Sequence, residues 1–346
     1  MKVAITSYYL PSVSKIGVGY VVHYLANELV KRGHEVTVFS SGGPGSDSLY
    51  QVEVVPSRKR LATFGFAWDL RKYDFSGFDV LNAHGDDCFL WGKRLPRHIH
   101  TYHGSCLAEM LHSPRLTARV RMAALALCEL GAGFLADERT AVSTNTRRYI
   151  PRIGHIIPNG VALETFAPVP EAAKSQAPSI LFVGSLTGRK RGDMLRRLFH
   201  EKIRPAVPDA QFWGVCPAPD DARDAAASGE HWFGRIPLDE LRDLYSRAWV
   251  FCLPSSYEGF GVPYIEAMAS GTPVVATPNV GAIEVTREGR DGLLCSDAEL
   301  VPALIRLLQD SKERTRWREA GLERARDFGW ETVCDQYLAL YRQDKH

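Results

Sequence analysis

Two glutamates eight positions apart, Glu258 and Glu266, stand in the segment Ser255–Gly271, which reads SSYEGFGVPYIEAMASG. Carboxylates accept hydrogen bonds, so this pair suits a ligand whose hydroxyls need acceptors, such as a sugar or a ribose. Gly259 and Gly261 supply a turn between them. Pro263 falls where a first helical residue would stand, and its missing N–H would be unpaired there anyway. The spacing predicts a helix over 262–270, ended by Gly271. The amides of Phe260, Gly261 and Val262 would be free at its start. Such an end attracts anions by roughly 0.3–1 kcal/mol when exposed and up to about 2 kcal/mol when partly buried. By spacing alone, a helix-capping Glu258 and a solvated Glu266 fit equally well.

A second group is cationic. Residues 180–193 read ILFVGSLTGRKRGD, a strand running into a loop with Arg189, Lys190 and Arg191 in succession. Guanidinium and ammonium groups are the natural partners of a diphosphate, although a solvated basic loop reads the same way. Gly17-Val18-Gly19 precedes a helical pattern, where glycines let backbone approach a phosphate or form a tight turn. Among 11 histidines, His84 follows the strand pattern 80–83 and His103 follows 99–102. Both therefore stand at strand carboxyl ends, where ligands of parallel sheets bind. A lone histidine there is as readily structural. Asp86 and Asp87 follow His84 and suit either acceptor hydroxyls or the capping of a loop.

The elements that position these residues alternate along the whole chain. Strand patterns are expected at 2–6, 35–39, 52–55, 80–83, 99–102, 140–142 and 155–157, with an amphipathic helix over 18–32 closed by Gly33. They resume at 180–183, 211–215, 250–253 and 274–276, and residues 297–342 are helical by pattern. Strand–helix alternation predicts an α/β fold with parallel sheets. The Pro/Ala/Ser-rich stretch 167–179 reads as a linker. The expected domains are 1–166 and 180–327, both Rossmann-like, with a terminal helix over 328–346. At 346 residues, two domains are the natural expectation. A net charge of +2 gives no reason to expect nucleic acid. The seven cysteines are scattered without C-x-x-C spacing, which fits reduced thiols in the cytoplasm and no zinc site. The first residues read as a strand rather than a signal peptide, and the apolar run 122–136 is too short to span a bilayer.

Glu258-Gly-Phe-Gly-Val-Pro-Tyr-Ile-Glu266-Ala-Met-Ala-Ser-Gly-Thr-Pro-Val-Val resembles the E-x7-E signature of retaining glycosyltransferases with the GT-B fold, specifically family 4. The resemblance covers most of the chain, more firmly in its second half. It implies two Rossmann-like domains facing across a cleft, with a terminal helix from Phe328-Gly329-Trp330 returning to the N-domain. By this likeness Glu258 contacts the donor sugar hydroxyls and Glu266 the donor ribose. The backbone of Phe260, Gly261 and Val262 holds sugar and diphosphate, and Lys190 holds the leaving diphosphate. One common pattern has arginine directly after the strand-end glycine, Gly184. Here Ser185 stands there, and Arg189 is expected to supply the second charge. The loop at Gly17 and Gly19 closes over the donor phosphates. His103 positions the reacting sugar, and His84 matches a second recurring histidine. Glu284, in PNVGAIE, orders the donor site, while Arg235 and Ile236 lie in the loop that presents backbone to the nucleobase. Ile157–Val161 matches a structural turn.

The implied reaction moves a hexosyl group from a nucleoside diphosphate sugar, with a UDP-sugar favoured, to an acceptor hydroxyl with retention. No cofactor and no metal are expected, since the cationic loop replaces one and no Asp-x-Asp dyad is present. A glycan, a lipid-linked sugar or a secondary metabolite is the expected acceptor. The helical pattern 114–130, with Arg115, Arg119 and Arg121 beside an apolar run, suits either peripheral contact with an anionic inner-membrane face or a core helix with a basic end. Two rivals stand beside this reading: a GT-B epimerase or hydrolase, and a non-catalytic sugar-nucleotide-binding module.

Overall fold

The computed structural model describes residues 1–12, 17–56, 62–112, 116–220 and 228–343. They divide into two compact units, Met1–Gly160 with Trp330–His346, and Val161–Gly329. The first holds a sheet built from β1 (Lys2–Thr6), β2 (Glu35–Ser40), β3 (Gln51–Val54), β4 (Val80–Ala83), β5 (Arg97–Tyr102), β6 (Glu138–Ala141) and β7 (His155–Ile156). Their spatial order is β3-β2-β1-β4-β5-β6-β7. The second holds β8 (Ser179–Val183), β9 (Gln211–Val215), β10 (Glu230–Trp232), β11 (Val250–Leu253), β12 (Val274–Ala276) and β13 (Leu293–Leu294), in the order β10-β9-β8-β11-β12-β13.

Every strand pairing is parallel. The two sheets share one topology, three strands laid outward in reverse and the rest added on the other side. That is the Rossmann order, with its switch point between the first and fourth strands. Central strands of such sheets are covered on both faces, so they are apolar throughout. Val3, Ala4 and Ile5 of β1 are fully buried, as are Phe251, Cys252 and Leu253 of β11. Parallel strands also send all their carboxyl ends to one edge, and this gathers residues distant in sequence.

Residues 167–179, expected as a linker, are counted within the second unit. Lys174 shows why. Its ammonium donates to the carbonyls of Ala248 at 2.9 Å and Gly271 at 3.3 Å, and to the Thr272 hydroxyl at 3.0 Å. These acceptors lie just past the Leu238–Arg247 and Val262–Ala269 helices, where unpaired carbonyls favour a cation. The Trp330–Tyr341 helix belongs to the first unit. Trp330 stacks on Tyr24 with ring centroids 5.7 Å apart, and the Tyr341 hydroxyl accepts from the Asn82 amide at 2.7 Å.

Candidate donor and histidine sites

In the second unit, three loops leave the carboxyl edge of β8, β11 and β12 and are tied together by backbone. The Ser256 N–H donates to Arg189 O at 2.8 Å, and the Gly281 N–H to Glu258 O at 3.1 Å. After β8, Gly184 adopts φ +155°, and a Cβ there would stand 3.2 Å from Lys190 Cγ. The missing side chain thus makes room for the lysine stem. Lys190 closes a short 3-10 turn, Gly188–Lys190, and its Nζ lies 2.8 Å from Glu258 Oε1. The two form a close charge pair. Both partners are largely shielded, at 16% and 6% side-chain exposure, so water screens the attraction weakly.

Arg189 is more open. Its guanidinium is 3.9 Å from Glu258 Oε2 and donates to Tyr257 O at 3.4 Å. Arg191 turns away: it adopts φ 56° and donates to Asp297 at 2.5 Å. The basic run therefore brings two of its charges to Glu258, not three. Ser185 is exposed and donates to Thr187 O at 2.9 Å.

The second glutamate lies on the Val262–Ala269 helix, with Pro263 in its first turn. Gly261 precedes it at φ +99°, a backbone that favours glycine. Phe260 and Gly261 are buried and Val262 half-buried; the Val262 N–H, at the first helical position, has no intrahelical acceptor. Glu266 Oε2 accepts from the Tyr245 hydroxyl at 2.9 Å. Burial pushes its carboxyl up to about 7, against the opposing pull of the Tyr245 hydrogen bond and Lys190. Glu258 and Glu266 therefore stand in different electrostatic settings, one against a cation and one against a phenol.

After β12, Asn279 accepts from the Ala282 N–H and donates to Ser255 O at 3.1 Å, Thr277 O at 3.0 Å and the Tyr264 hydroxyl at 3.2 Å. A Cβ on Gly281 would meet Phe260 O at 2.5 Å and Glu258 Cβ at 2.9 Å. Only a glycine lets this loop press on the Glu258 turn. Glu284, half-buried in the Val280–Val285 helix, has its carbonyl held by Arg324 Nη2 at 3.2 Å. Arg235 and Ile236 follow β10 in a loop anchored by Phe233 N–H to Gly214 O and Gly234 N–H to Cys216 O. They share the sheet edge with Lys190 but stand two strands over, roughly 10 Å at the usual strand spacing.

In the first unit, the β4 and β5 carboxyl ends bring the two strand-end histidines together. His84 Nδ1 lies 2.7 Å from His103 Nε2, with the rings 28° from coplanar. Burial holds both below the usual histidine range. His103 comes down to about 4, with His100 adding to the effect, and His84 lies well below, with His103 and His100 adding. Both are neutral imidazoles at physiological pH. Asp87, read as an acceptor contact or a loop cap, lies in the core. It is fully buried, and its oxygens are 2.7 Å from His98 Nε2 and 2.7 Å from His100 Nδ1. Burial opposes its charge, yet the two imidazoles hold its carboxyl far below the usual carboxylate range. Asp86 is also buried and accepts the Tyr8 N–H at 2.7 Å; burial nonetheless pushes it up to about 7. Gly17 and Gly19 form no loop: they lie in the first turn of the Gly17–Lys31 helix, and residues 13–16 before it lie outside the described residues. A Cβ at Gly19 would stand 3.2 Å from Leu10 backbone, so close packing explains that glycine.

Sequence spacing did not single out Tyr245, Asn279, Gly281, His98 or His100. Tyr245 lies on a helix whose pattern marks it only as apolar. Gly281 carried the clearest signal, an internal glycine directly after a strand-end turn. Among the described residues no group of His, Cys, Asp and Glu could hold a metal ion.

Residues 16–165 match the Glycosyltransferase Family 4 profile, and residues 177–310 match Glycosyl transferases group 1. Alpha-maltose-1-phosphate synthase of Mycobacterium tuberculosis is 30% identical over 223 residues, 56% of this chain and 57% of the relative. D-inositol 3-phosphate glycosyltransferase of Kribbella flavida is 31% identical over 54% of this chain and 50% of its own length. The chain thus spans little more than half the length of these curated relatives. Among solved structures, sucrose-phosphate synthase from Thermosynechococcus elongatus superposes with a TM-score of 0.80 over 99% of this chain and 98% of that one, at 23% identity. HepE of Anabaena, solved with UDP-glucose, gives 0.74 over 98% and 99%, at 17% identity. At these identities the likeness establishes the fold, which is GT-B.

Proposed function

The chain belongs to glycosyltransferase family 4, and from that premise we propose that it transfers a hexosyl group from a nucleoside diphosphate sugar to an acceptor hydroxyl. The observation that carries this reading is the Lys190–Glu258 pair beside Glu266 at one sheet edge. A diphosphate arriving there offers Lys190 a stronger partner than one carboxylate. Lys190 and Arg189 then stabilise the negative charge that grows on the leaving diphosphate, a term that acts in the transition state. Glu258, released from the lysine, accepts from hydroxyls of the transferred sugar. Glu266 accepts from the ribose.

No residue in this arrangement serves as an obligatory nucleophile, so the reading is front-face attack with retention. The charges on Lys190 and Arg189 do the work a metal ion would otherwise do. A UDP-sugar is the favoured donor, in keeping with the UDP-glucose held by HepE, and the acceptor is a glycan, a lipid-linked sugar or a secondary metabolite. A thermal-shift panel of UDP-, GDP-, ADP- and dTDP-sugars tests the reading, because a ligand bound only by the folded state raises the melting point. One nucleotide class should stand out, and its sugar should appear on an acceptor. No shift with any of them, or an epimerised or merely released sugar, would contradict the reading.

A second element of the proposal is contact with an anionic bilayer surface. The Leu116–Leu135 helix leaves Leu116, Val120, Leu127 and Phe134 each more than 60% exposed, with Leu130 at 37%. Their spacing of four, seven, three and four lays them on one helical stripe. Arg119 and Arg121 are exposed on the same helix, and its single acid, Glu129, is drawn inward to accept the Cys106 N–H at 2.9 Å. Apolar stripe and basic flank together suit anionic lipid. Pro114 and Arg115 lie outside the described residues. No described helix is long and apolar enough to cross a membrane. Co-sedimentation with anionic vesicles at low salt should retain the protein and lose Leu127→Glu/Phe134→Glu; equal sedimentation of the two, or none of either, would retire this element.

A further inference from the structure

The contact between His84 and His103 contains one proton and two ways to place it. Their facing nitrogens, His84 Nδ1 and His103 Nε2, are 2.7 Å apart, so one is N–H and the other a lone pair. Both rings are neutral, which fixes the remaining nitrogens as well. If His103 Nε2 carries the proton, His84 must carry its own on Nε2. If His84 Nδ1 carries it, His84 Nε2 is bare and His103 carries its proton on Nδ1.

The surroundings decide between the two. His84 Nε2 is buried and has no hydrogen-bond partner among the described residues. Orphaned buried N–H groups are rarer in native backbones than under-satisfied acceptors, and the same ordering applied to the ring places the bare nitrogen at His84 Nε2. His84 also cannot rotate freely to find a partner. The residue is buried, and its backbone N–H is fixed to Thr6 O at 2.9 Å. His100, paired in register with Ala83 on the neighbouring strand, gives its Nδ1 proton to Asp87, and its own Nε2 is buried without a partner. Among the described residues nothing accepts a proton from His84 Nε2.

We propose that His84 is a positioning residue that fixes the tautomer of His103, donating from Nδ1 so that His103 presents an Nδ1–H donor on its open side. His103 is half-buried, and its Nδ1 has no partner among the described residues, so this N–H is free for a ligand. Its natural target is an oxygen, a sugar hydroxyl or a phosphoryl oxygen. The functional meaning rests on the transferase reading, whereas the tautomer itself does not.

Long-range nitrogen–proton correlation spectra of the ring nitrogens report tautomers directly, and the two residues can be assigned by the signals lost in His103→Asn and His84→Asn. In the wild type the expected pattern is Nδ1–H for both His84 and His103. Finding His103 as Nε2–H would overturn the proposal whatever the variants do. His84→Leu should release His103 into a mixture of tautomers and lower kcat about tenfold, near the value of one hydrogen bond, with donor KM within about twofold. His84→Asn keeps a donor at the Nδ1 position and should restore most of the turnover and the His103 signal. Unchanged His103 shifts in a folded His84→Leu protein would also overturn it. A confirmed wild-type tautomer with no kinetic change in either variant would instead count against the role given to His103 in transfer.

Discussion

Glu258 and Glu266 are the same residue type in one segment, yet their partners give them different surroundings. Glu258 pairs with Lys190, whereas Glu266 shares a phenol and is pushed up to about 7 by burial. A carboxyl whose folded value is raised holds its proton more tightly than in the unfolded chain, from 4.5 up to about 7. Its contribution to stability therefore falls as pH rises across that window. Binding runs the other way: ionised Glu266 accepts better, so affinity for the free nucleoside diphosphate should strengthen as pH rises through about 7. Glu266→Gln should weaken that affinity about ten- to a hundredfold at pH 8 and remove its own part of the pH dependence, since charged hydrogen bonds contribute roughly 1.5–3 kcal/mol. Glu258→Gln should leave nucleotide affinity nearly intact and lower turnover. Isothermal titration at pH 6 and pH 8 checks both, and equal losses in the two variants would sink the division. The charge pair makes its own prediction. Breaking a buried pair from one side costs about 3–5 kcal/mol, and the partial exposure of Lys190 puts this pair near or below the lower figure. Lys190→Ala should therefore unfold at lower denaturant than the double variant Lys190→Ala/Glu258→Gln. A double variant less stable than the single would contradict the pairing.

At the scale of elements, three loops from β8, β11 and β12 make the proposed donor surface, and glycines set how closely they pack. Gly281→Ala places a methyl group against Phe260 O and Glu258 Cβ. Overpacking of this kind costs about 1–3 kcal/mol, and the strain falls on the Glu258 turn. The expected outcome is a small loss of melting temperature with a clear loss of donor affinity; an unchanged titration would show that the turn is not held by this contact. The strands that carry these loops were legible because buried parallel strands are apolar runs. β9, β11 and β12 fall at the expected residues, while short edge strands β10 and β13, with little apolar sequence to mark them, were not anticipated. The strand-end histidines were legible as positions. Their mutual contact was not, nor was Asp87 between His98 and His100, because pairing across neighbouring strands depends on register rather than on spacing along the chain. In residues 167–179 proline and alanine suggest a tether, and Lys174, which binds two helix ends, carries no sequence signature.

On the scale of the whole chain, two sheets of one topology, seven and six strands, each gather candidate side chains at their carboxyl edges. Family membership and GT-B architecture rest on matches covering residues 16–165 and 177–310 and on superpositions spanning nearly all of the chain. In the proposed reaction Lys190 and Arg189, which carry positive charge to the Glu258 turn, take the place of a bound metal. The most direct test is to follow transfer from the donor selected by the thermal-shift panel, with EDTA in excess, and to read the anomeric configuration of the product by proton NMR. The account predicts a glycoside with the donor's own anomeric configuration, formed at an undiminished rate. An inverted product, or loss of activity restored by Mg²⁺ or Mn²⁺, would contradict it.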